Sequence, residues 1–173
     1  MLLSERGYEA ATLKAIGERA GIPTASLYHY FSDRHQVDAE LVQRHLHALE
    51  ARLSDIADNT KLRTLRSAVD AVIDSYVAYF REHRDFIQLW FEGRSPTLTA
   101  TARAFDEMQS RRFWGLLVDR NLIASDTPEL VVQLAFEAGN RLFDVAFRIS
   151  PSGDEKTIGE ARRLLTAYLE TYK

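Results

Sequence analysis

Apolar residues recur at steps of three and four along most of the chain, which is the spacing of one face of a helix. One such run comprises Leu62, Leu65, Val69, Val72, Tyr76 and Phe80. No stretch alternates apolar and polar positions for long enough to indicate a strand, and no Asn-Gly or Asp-Gly pair marks a hairpin. The pattern therefore predicts an all-α fold.

Proline and glycine separate the periodic segments. Proline fits the first turn of a helix but not its interior, so Pro96 and Pro128 predict helix starts, with Ser95 and Thr127 as N-caps. The predicted helices lie near residues 1–6, 12–19, 24–30, 33–57, 61–82, 84–92, 96–120, 127–149 and 155–172.

Two short helices near the start of the chain are joined by a tight turn. Thr12 is placed to cap the first helix, Gly21-Ile22-Pro23 interrupts it, and Thr24 begins the second. This arrangement is typical of a helix-turn-helix, although any helical bundle contains corners of the same kind.

Small and apolar residues in this segment suit such a corner. Gly17 stands where the two helices cross, Gly21 can adopt a left-handed backbone angle, and Ile22 and Leu27 are expected to fill the angle between the helices. Phe31 is also expected to lie in the core. Outward positions of the second helix are those from which a DNA-reading helix contacts bases.

The order of residues over this stretch resembles the TetR/AcrR family of transcriptional regulators. The matching positions are Leu2-Leu3-Ser4-Glu5-Arg6-Gly7-Tyr8, Thr12, Ile16-Gly17, Ala20-Gly21-Ile22, Leu27-Tyr28-His29-Tyr30-Phe31, Arg34 and Val37. They cover the first quarter of the chain. The resemblance implies a DNA-binding head, an effector-binding helical domain and a homodimer.

The resemblance also implies the residues that touch DNA. They are Thr12, Lys14, Thr24, Ala25, Tyr28, His29, Tyr30 and Arg34. Lys14 is expected at a phosphate or a base edge. The residues expected at phosphates are Thr12, Tyr28, Tyr30 and Arg34, and those expected in the major groove are Thr24, Ala25, Tyr28 and His29. Phosphate contacts position a protein on DNA, whereas contacts in the groove specify sequence.

The chain departs from the family pattern in three places. Ala25 and Gly17 replace a common glycine and alanine, which should change the packing little. Pro23 occupies the usual serine N-cap, which leaves the second helix capped by Thr24 or by no side chain. Only Leu2 and Leu3 represent the first helix of the head, so we expect a basic segment upstream of Met1. The resemblance therefore predicts a DNA-binding domain over 1–45 that is incomplete at its N-terminus.

Residues 46–173 are predicted to form the effector-binding and dimerisation domain. The helices near 127–149 and 155–172 are the expected dimer interface, and Gly139 is expected to allow close approach of a second copy. Burial of both apolar faces within one chain is the alternative. Aromatic and amphipathic side chains are typical of a pocket for an apolar or amphipathic small molecule, although they form plain cores more often. The candidate ligand-binding residues are Tyr76, Trp90, Met108, Arg112, Phe136, Asn140 and Phe143.

Composition narrows the function further. The 173 residues include no cysteine, and the histidines lack companions at ligand spacing, so no metal site, cofactor or enzymatic activity is expected. No segment is apolar enough to cross a membrane and none has the pattern of a signal peptide, so we expect a cytoplasmic protein.

Charge argues against binding that depends on bulk electrostatics. The formal net charge is −3, and residues 1–45 contain five basic and six acidic side chains. DNA binding would therefore depend on a few placed contacts and on dimerisation. The sequence favours a ligand-responsive repressor acting on a palindromic operator. The alternative is a helical small-molecule-binding or protein-interaction module that does not bind DNA.

Overall fold

The structure is a computed structural model that describes residues 3, 5, 7–58, 62–92 and 96–173. Within these ranges the chain is helical and contains no strand, which confirms the predicted all-α fold. The helices are α1 (Leu13–Ala20), α2 (Thr24–Tyr30), α3 (Arg34–Asp58), α4 (Leu65–Glu82), α5 (Arg84–Ile87), α6 (Pro96–Asp119), α7 (Glu129–Ile149) and α8 (Glu155–Glu170), with a π-helical turn Gln88–Glu92 after α5. None of the described helices is long and apolar enough to span a membrane.

One predicted element differs from the observed structure. The single helix expected near 84–92 is instead the four-residue α5 followed by the π-helical turn. The helix predicted near 1–6 falls mostly outside the described residues, although Leu3 and Glu5 have helical backbone. Ser95, the predicted cap of α6, also lies outside them.

The caps of α1 and α2 follow from their sequences. The Thr12 hydroxyl accepts a hydrogen bond from the backbone N–H of Ala15 at 3.2 Å, which confirms it as the N-cap of α1. Gly21 ends this helix with a φ of 67°, in the left-handed region that glycine adopts without strain. Pro23 is the N-cap residue of α2 and supplies no side-chain hydrogen bond. The second helix therefore begins without a side-chain cap.

The crossing of α1 and α2 requires the absence of a side chain at position 17. A Cβ on Gly17 would lie 2.9 Å from both the backbone oxygen of Ile22 and Cδ1 of Leu27. Leu27 is buried, as expected, but Ile22 is 43% exposed and does not fill the angle between the helices. The prediction for Ile22 is wrong because the short turn turns its side chain outward while the backbone oxygen occupies the crossing.

The chain forms two compact units. The first comprises residues 1–47 and 83–102, and the second comprises 48–82 and 103–173. The sequence-based division at residues 45 and 46 assigned 83–102 to the second domain. Spatial packing places that segment with the first unit, a grouping that linear order does not reveal.

A buried pair of side chains links α3 to α5 within the first unit. Nε2 of His45 lies 3.6 Å from Oδ2 of Asp85, and both residues are buried. The His45 ring also stacks on Phe86, with centroids 4.8 Å apart. The pairing with His45 lowers the pKa of Asp85 from its ordinary value.

The second unit buries an aromatic core between α4 and α7. The rings of Phe80 and Phe147 meet edge to face with centroids 5.3 Å apart, and Tyr76 stacks on Phe143 at 5.9 Å. Gly139 is buried within the chain, where a Cβ would lie 3.5 Å from Cδ1 of Leu165 on α8. The expectation that Gly139 faces a second copy is therefore wrong, because α8 of the same chain covers it.

Thr127 does not cap α7. Pro128 is the N-cap residue, without a side-chain hydrogen bond, and the Thr127 hydroxyl is buried without a hydrogen-bond partner among the described residues. The α8 helix does have a side-chain cap, since Asp154 accepts a hydrogen bond from the N–H of Thr157 at 2.9 Å. These backbone and hydroxyl hydrogen bonds lower the pKa of Asp154.

Candidate functional site

The α2 helix presents most of the predicted DNA-contacting residues on its surface. Tyr28 is 57% exposed and Tyr30 is 77% exposed, and Ala25 and His29 are also exposed. Thr24 is half-buried. Large side chains are exposed to water here, while the buried Leu27 holds the helix to the core. The role of these exposed residues at DNA stays a prediction.

The α1 helix adds two further predicted contacts beside the turn. Thr12 is exposed, but its hydroxyl oxygen already caps the helix. Lys14 is exposed on the first turn, and Nζ lies 4.0 Å from a carboxylate oxygen of Glu18. An exposed ion pair of this length contributes little to stability, so the ammonium of Lys14 is available to a phosphate.

Arg34 lies in a different environment from the other predicted contacts. Its side chain is 18% exposed, and its guanidinium carbon lies 3.7 Å from the centroid of the Tyr8 ring. Its Nε is 3.4 Å from Oδ2 of Asp38, which also accepts a hydrogen bond from the Tyr8 hydroxyl at 2.9 Å. Burial and this hydrogen bond raise the pKa of Tyr8. The phosphate contact of Arg34 stays a prediction, while the geometry favours a role in holding Tyr8 to α3.

Carboxylates of the same unit surround its basic side chains. Arg19 donates a hydrogen bond to Glu5 at 2.7 Å, and Arg44 donates one to Glu40 at 3.2 Å. A phosphate approaching either arginine therefore competes with an internal partner. This arrangement agrees with the expectation from net charge that bulk attraction of DNA is weak.

Four of the seven predicted ligand-binding residues line one cavity in the second unit. Tyr76 comes from α4, and Phe136, Asn140 and Phe143 come from α7. The cavity measures about 40 Å³. Its other lining residues are Val69, Val72, Ile73, Phe113, Ala135, Gly139, Leu165 and Leu169.

The other three predicted residues do not line this cavity. Trp90 belongs to the first unit, where its ring centroid lies 5.2 Å from that of Phe86. Arg112 is exposed and donates a hydrogen bond to Glu50 at 2.7 Å. Met108 is half-buried on α6. Aromatic and amphipathic character alone thus selected residues from several surroundings.

Sequence analysis missed a buried carboxyl beside the cavity. Asp106 on α6 accepts a hydrogen bond from the side-chain amide of Asn140 at 2.6 Å. Burial raises the pKa of Asp106 to about 7, and the charge of Glu137 acts in the same direction, while the bond from Asn140 opposes it. Asp106 was missed because its sequence neighbours do not reveal that the carboxyl is buried.

A wider groove lies in the first unit. It measures about 570 Å³, and its apolar wall includes Leu3, Ile16, Phe31 and Leu41. Arg19, Asp38, Glu40 and Arg44 also line it. Cavity size therefore does not by itself identify an effector site in this chain.

Among the described residues, no three histidine or acidic side chains come together in a way that could hold a metal ion. His45 lies near both His83 and Asp85, and the ring centroids of the two histidines are 5.2 Å apart. It joins α3 to the segment that follows α4.

Comparison with known families agrees with this arrangement of an exposed helix pair and a helical second unit. Residues 1–41 match the bacterial regulatory proteins of the tetR family, and residues 64–169 match the tetracyclin repressor-like C-terminal domain. The second match alone covers more than half of the chain. The chain belongs to the TetR family, and the resemblance found in its first forty residues is confirmed.

Individual relatives share parts of the chain to different extents. The HTH-type transcriptional repressor KstR2 of Mycobacterium tuberculosis (strain CDC 1551 / Oshkosh) is 41% identical over 59 residues, covering 34% of this chain and 30% of the relative. KstR2 of Mycolicibacterium smegmatis is 26% identical over 143 residues, covering 78% of this chain and 67% of the relative. The chain thus spans about a third of the first relative.

Solved structures share the fold over nearly the whole chain. A TetR-family transcriptional regulator from Streptomyces coelicolor is 30% identical, with a TM-score of 0.71, covering 99% of this chain and 93% of that one. A TetR transcription regulator from Haloarcula marismortui has a TM-score of 0.74 at 16% identity, covering 98% and 91% of the two chains. The second likeness concerns the fold alone.

Proposed function

We propose that this protein is a DNA-binding transcriptional repressor whose α2 helix reads the major groove. The observation that carries the proposal is the exposure of Tyr28 and Tyr30 on a short helix that Leu27 anchors and Gly17 brings against α1. Thr24, Ala25 and His29 would complete the groove surface, and Thr12 and Lys14 would meet phosphates. The names of the KstR2 relatives support repression over activation.

A small-molecule effector releases the repressor from its operator in this proposal. The cavity lined by Tyr76, Phe136, Asn140 and Phe143 supports an effector site within the second unit. An effector shifts the protein between states only through different affinities for them. Release therefore requires that the effector bind the DNA-free conformation more tightly.

The functional form is a homodimer through α7 and α8. A palindromic operator needs two heads related by a two-fold axis. Leu130, Leu134 and Ile149 on α7 and Leu164 on α8 are at least half exposed. Exposed apolar side chains on two adjoining helices support an interface there, in place of the buried face around Gly139.

Selection of bound duplexes from a random pool by the full chain tests the DNA-binding proposal. We expect enrichment of a palindrome at low salt, and a loss of enrichment with Tyr28→Ala. Ser54→Ala, which changes an exposed side chain of α3 outside both the reading helix and the proposed interface, is the control and should enrich the same sequence. If dimeric protein enriches no sequence, the alternative of a helical module without DNA binding is favoured.

Sedimentation equilibrium tests the dimer. Leu134→Glu places a charge on a side chain that is 50% exposed, so it should weaken association at least tenfold without unfolding the chain. Ala104→Glu adds the same charge at an exposed position of α6 and should leave association unchanged. Equal dimerisation by both variants would place the interface elsewhere.

A further inference from the structure

One buried polar group that lines the cavity of the second unit, and another that lies beside it, have unfilled hydrogen-bonding capacity. Tyr76 is 3% exposed and lines the cavity, yet its hydroxyl has no hydrogen-bond partner among the described residues. Oδ1 of Asp106 is buried and equally unpartnered, while Oδ2 is bonded to Asn140, which also lines the cavity. A buried hydroxyl or carboxyl without a partner is costly, so these atoms mark where a ligand group would gain most.

No charged side chain lines the cavity among the described residues. The basic residues of α6 and α7 meet carboxylates of the chain itself, as Arg103 does with Glu107 and Arg112 with Glu50. An anionic ligand group would therefore lose its hydration without gaining an opposite charge. The charge of Glu137, which also raises the pKa of Asp106, would add to that cost.

The walls of the cavity are apolar and aromatic. Phe113 and Phe136 pack with ring centroids 6.1 Å apart, and Phe143 stacks against Tyr76 at 5.9 Å. Of these side chains, Phe136 is partly exposed. An apolar body would find matching walls here, and the partly exposed Phe136 is the side chain whose displacement admits it.

We propose that the second unit binds a neutral, mainly apolar molecule through a single carbonyl or hydroxyl oxygen that meets the Tyr76 hydroxyl beside Asp106 and Asn140. The inference rests on the proposed function only in calling this molecule the effector. The cavity of about 40 Å³ accommodates the oxygen-bearing group, and the rest of the molecule occupies space made by movement of Phe136. Tyr76 is thus the residue that selects a neutral oxygen over a charge.

The Tyr76 hydroxyl can serve either kind of oxygen. It donates to a carbonyl, and it donates to or accepts from a hydroxyl. Raised pKa values follow from burial at both Tyr76 and Asp106, so both groups are disposed to keep their protons. Asp106 does not itself line the cavity, and in its protonated form it adds no charge beside the ligand oxygen.

Calorimetric titration of the full chain without DNA tests the proposal. The probes are 2-octanone, 2-octanol, octanoate and octylammonium, which share a chain length and differ in their polar group. We expect 2-octanone, 2-octanol or both to bind at least tenfold more tightly than octanoate and octylammonium. Preference between the two neutral probes identifies the oxygen as carbonyl or hydroxyl.

Tyr76→Phe removes the hydroxyl and keeps the ring. The variant should bind the favoured neutral probe about three- to tenfold more weakly, which is the loss expected for one hydrogen bond. Tyr79→Phe is the matched control on the same helix, since Tyr79 does not line the cavity, and it should not change the affinity. Thermal melting of each variant verifies that it is folded.

Three results would overturn the inference. They are equal or tighter binding of a charged probe, binding of neither neutral probe, and an unchanged affinity in folded Tyr76→Phe. Because the titration contains no DNA, its outcome is separate from the duplex selection. A failed selection with successful titration would refute the repressor and leave the ligand site in place.

Discussion

The two candidate sites of this protein are built in opposite ways. The proposed DNA-reading surface comes from one seven-residue helix, and its tyrosines stand in water. Beside the proposed effector cavity, Tyr76, Asp106 and Asn140 come from three helices, and the Tyr76 hydroxyl and Oδ1 of Asp106 are buried. A surface site can be specified by one short segment, because its side chains are exposed as soon as the helix forms and one buried residue holds it to the core. A buried site depends on how distant helices meet.

The same contrast holds for two buried aspartates. In the first unit, pairing with His45 lowers the pKa of Asp85. In the second unit, burial raises the pKa of Asp106 to about 7. The first carboxyl has a partner for its charge and the second has only an amide, so identical side chains respond to pH with opposite sign.

The largest effect is expected from disrupting the crossing of α1 and α2 in the first unit. Gly17→Val adds atoms where a Cβ already falls 2.9 Å from the backbone oxygen of Ile22, so α1 and α2 must move apart. We expect a loss of stability of about 1–3 kcal/mol and the loss of selective DNA binding. Chemical denaturation and duplex selection measure the two effects.

Gly115→Val is the matched control for this change. Gly115 is also within a helix, but a Cβ there meets no atom within 4 Å. This variant should keep its stability within about 0.5 kcal/mol and should select the same duplex. A similar loss in both variants would mean that the helix crossing is not what Gly17 supports.

Exchanging the aspartates for asparagine sharpens the second contrast. Between the unfolded pKa of 3.8 and the folded pKa of about 7, the folded state holds a proton on Asp106 that the unfolded state has released. Wild-type stability therefore falls across this range because of Asp106 and then stays level above it. Asp106→Asn removes the loss, so the variant should gain roughly 1–4 kcal/mol relative to wild type between pH 4 and pH 8.

Asp85→Asn should behave in the opposite sense. A lowered folded pKa stabilises the protein above the unfolded pKa, and this stabilisation disappears as pH falls through the folded pKa. The variant should therefore be less stable than wild type at neutral pH, with the difference shrinking in acid. Denaturant titrations at several pH values measure both variants, and the same sign in both would contradict the contrast.

The smallest effect separates two cations of the head. Lys14 is exposed beside a single carboxylate 4.0 Å away. Lys14→Ala should therefore reduce the slope of log affinity for DNA against log salt concentration by about one. Arg34 is packed on Tyr8 and paired with Asp38, so Arg34→Ala should weaken binding while the salt slope stays close to wild type. DNA affinities measured between 50 mM and 200 mM salt distinguish the two roles. A reduced slope in Arg34→Ala would support the predicted phosphate contact of Arg34.

Prediction from sequence succeeded where one segment determines its own structure. Thr12 caps α1, Gly21 closes it in the left-handed region, and Leu27 is buried, because each depends on neighbours within a few residues. The predictions for Ile22 and Thr127 were wrong. An apolar residue at a turn can be buried or exposed, and a threonine before a helix can cap it or point elsewhere. Their surroundings were decided by the exact path of the backbone at a turn.

The candidate ligand-binding residues fall into different surroundings for a related reason. Tyr76, Phe136, Asn140 and Phe143 share a cavity, but Arg112 meets Glu50 at the surface and Trp90 belongs to the other unit. Helical periodicity shows that a side chain faces inward. It does not show which helix it faces.

The sequence by itself determined the all-α fold, the helix pair and its turn, the family, and the modest charge of the head, since spacing, glycine and proline act over short distances. The tertiary structure alone decided that Gly139 is covered by α8, that Arg34 packs on Tyr8, and that Asp106 is buried. The protonation of a carboxyl depends on every element packed around it. No local pattern contains that information.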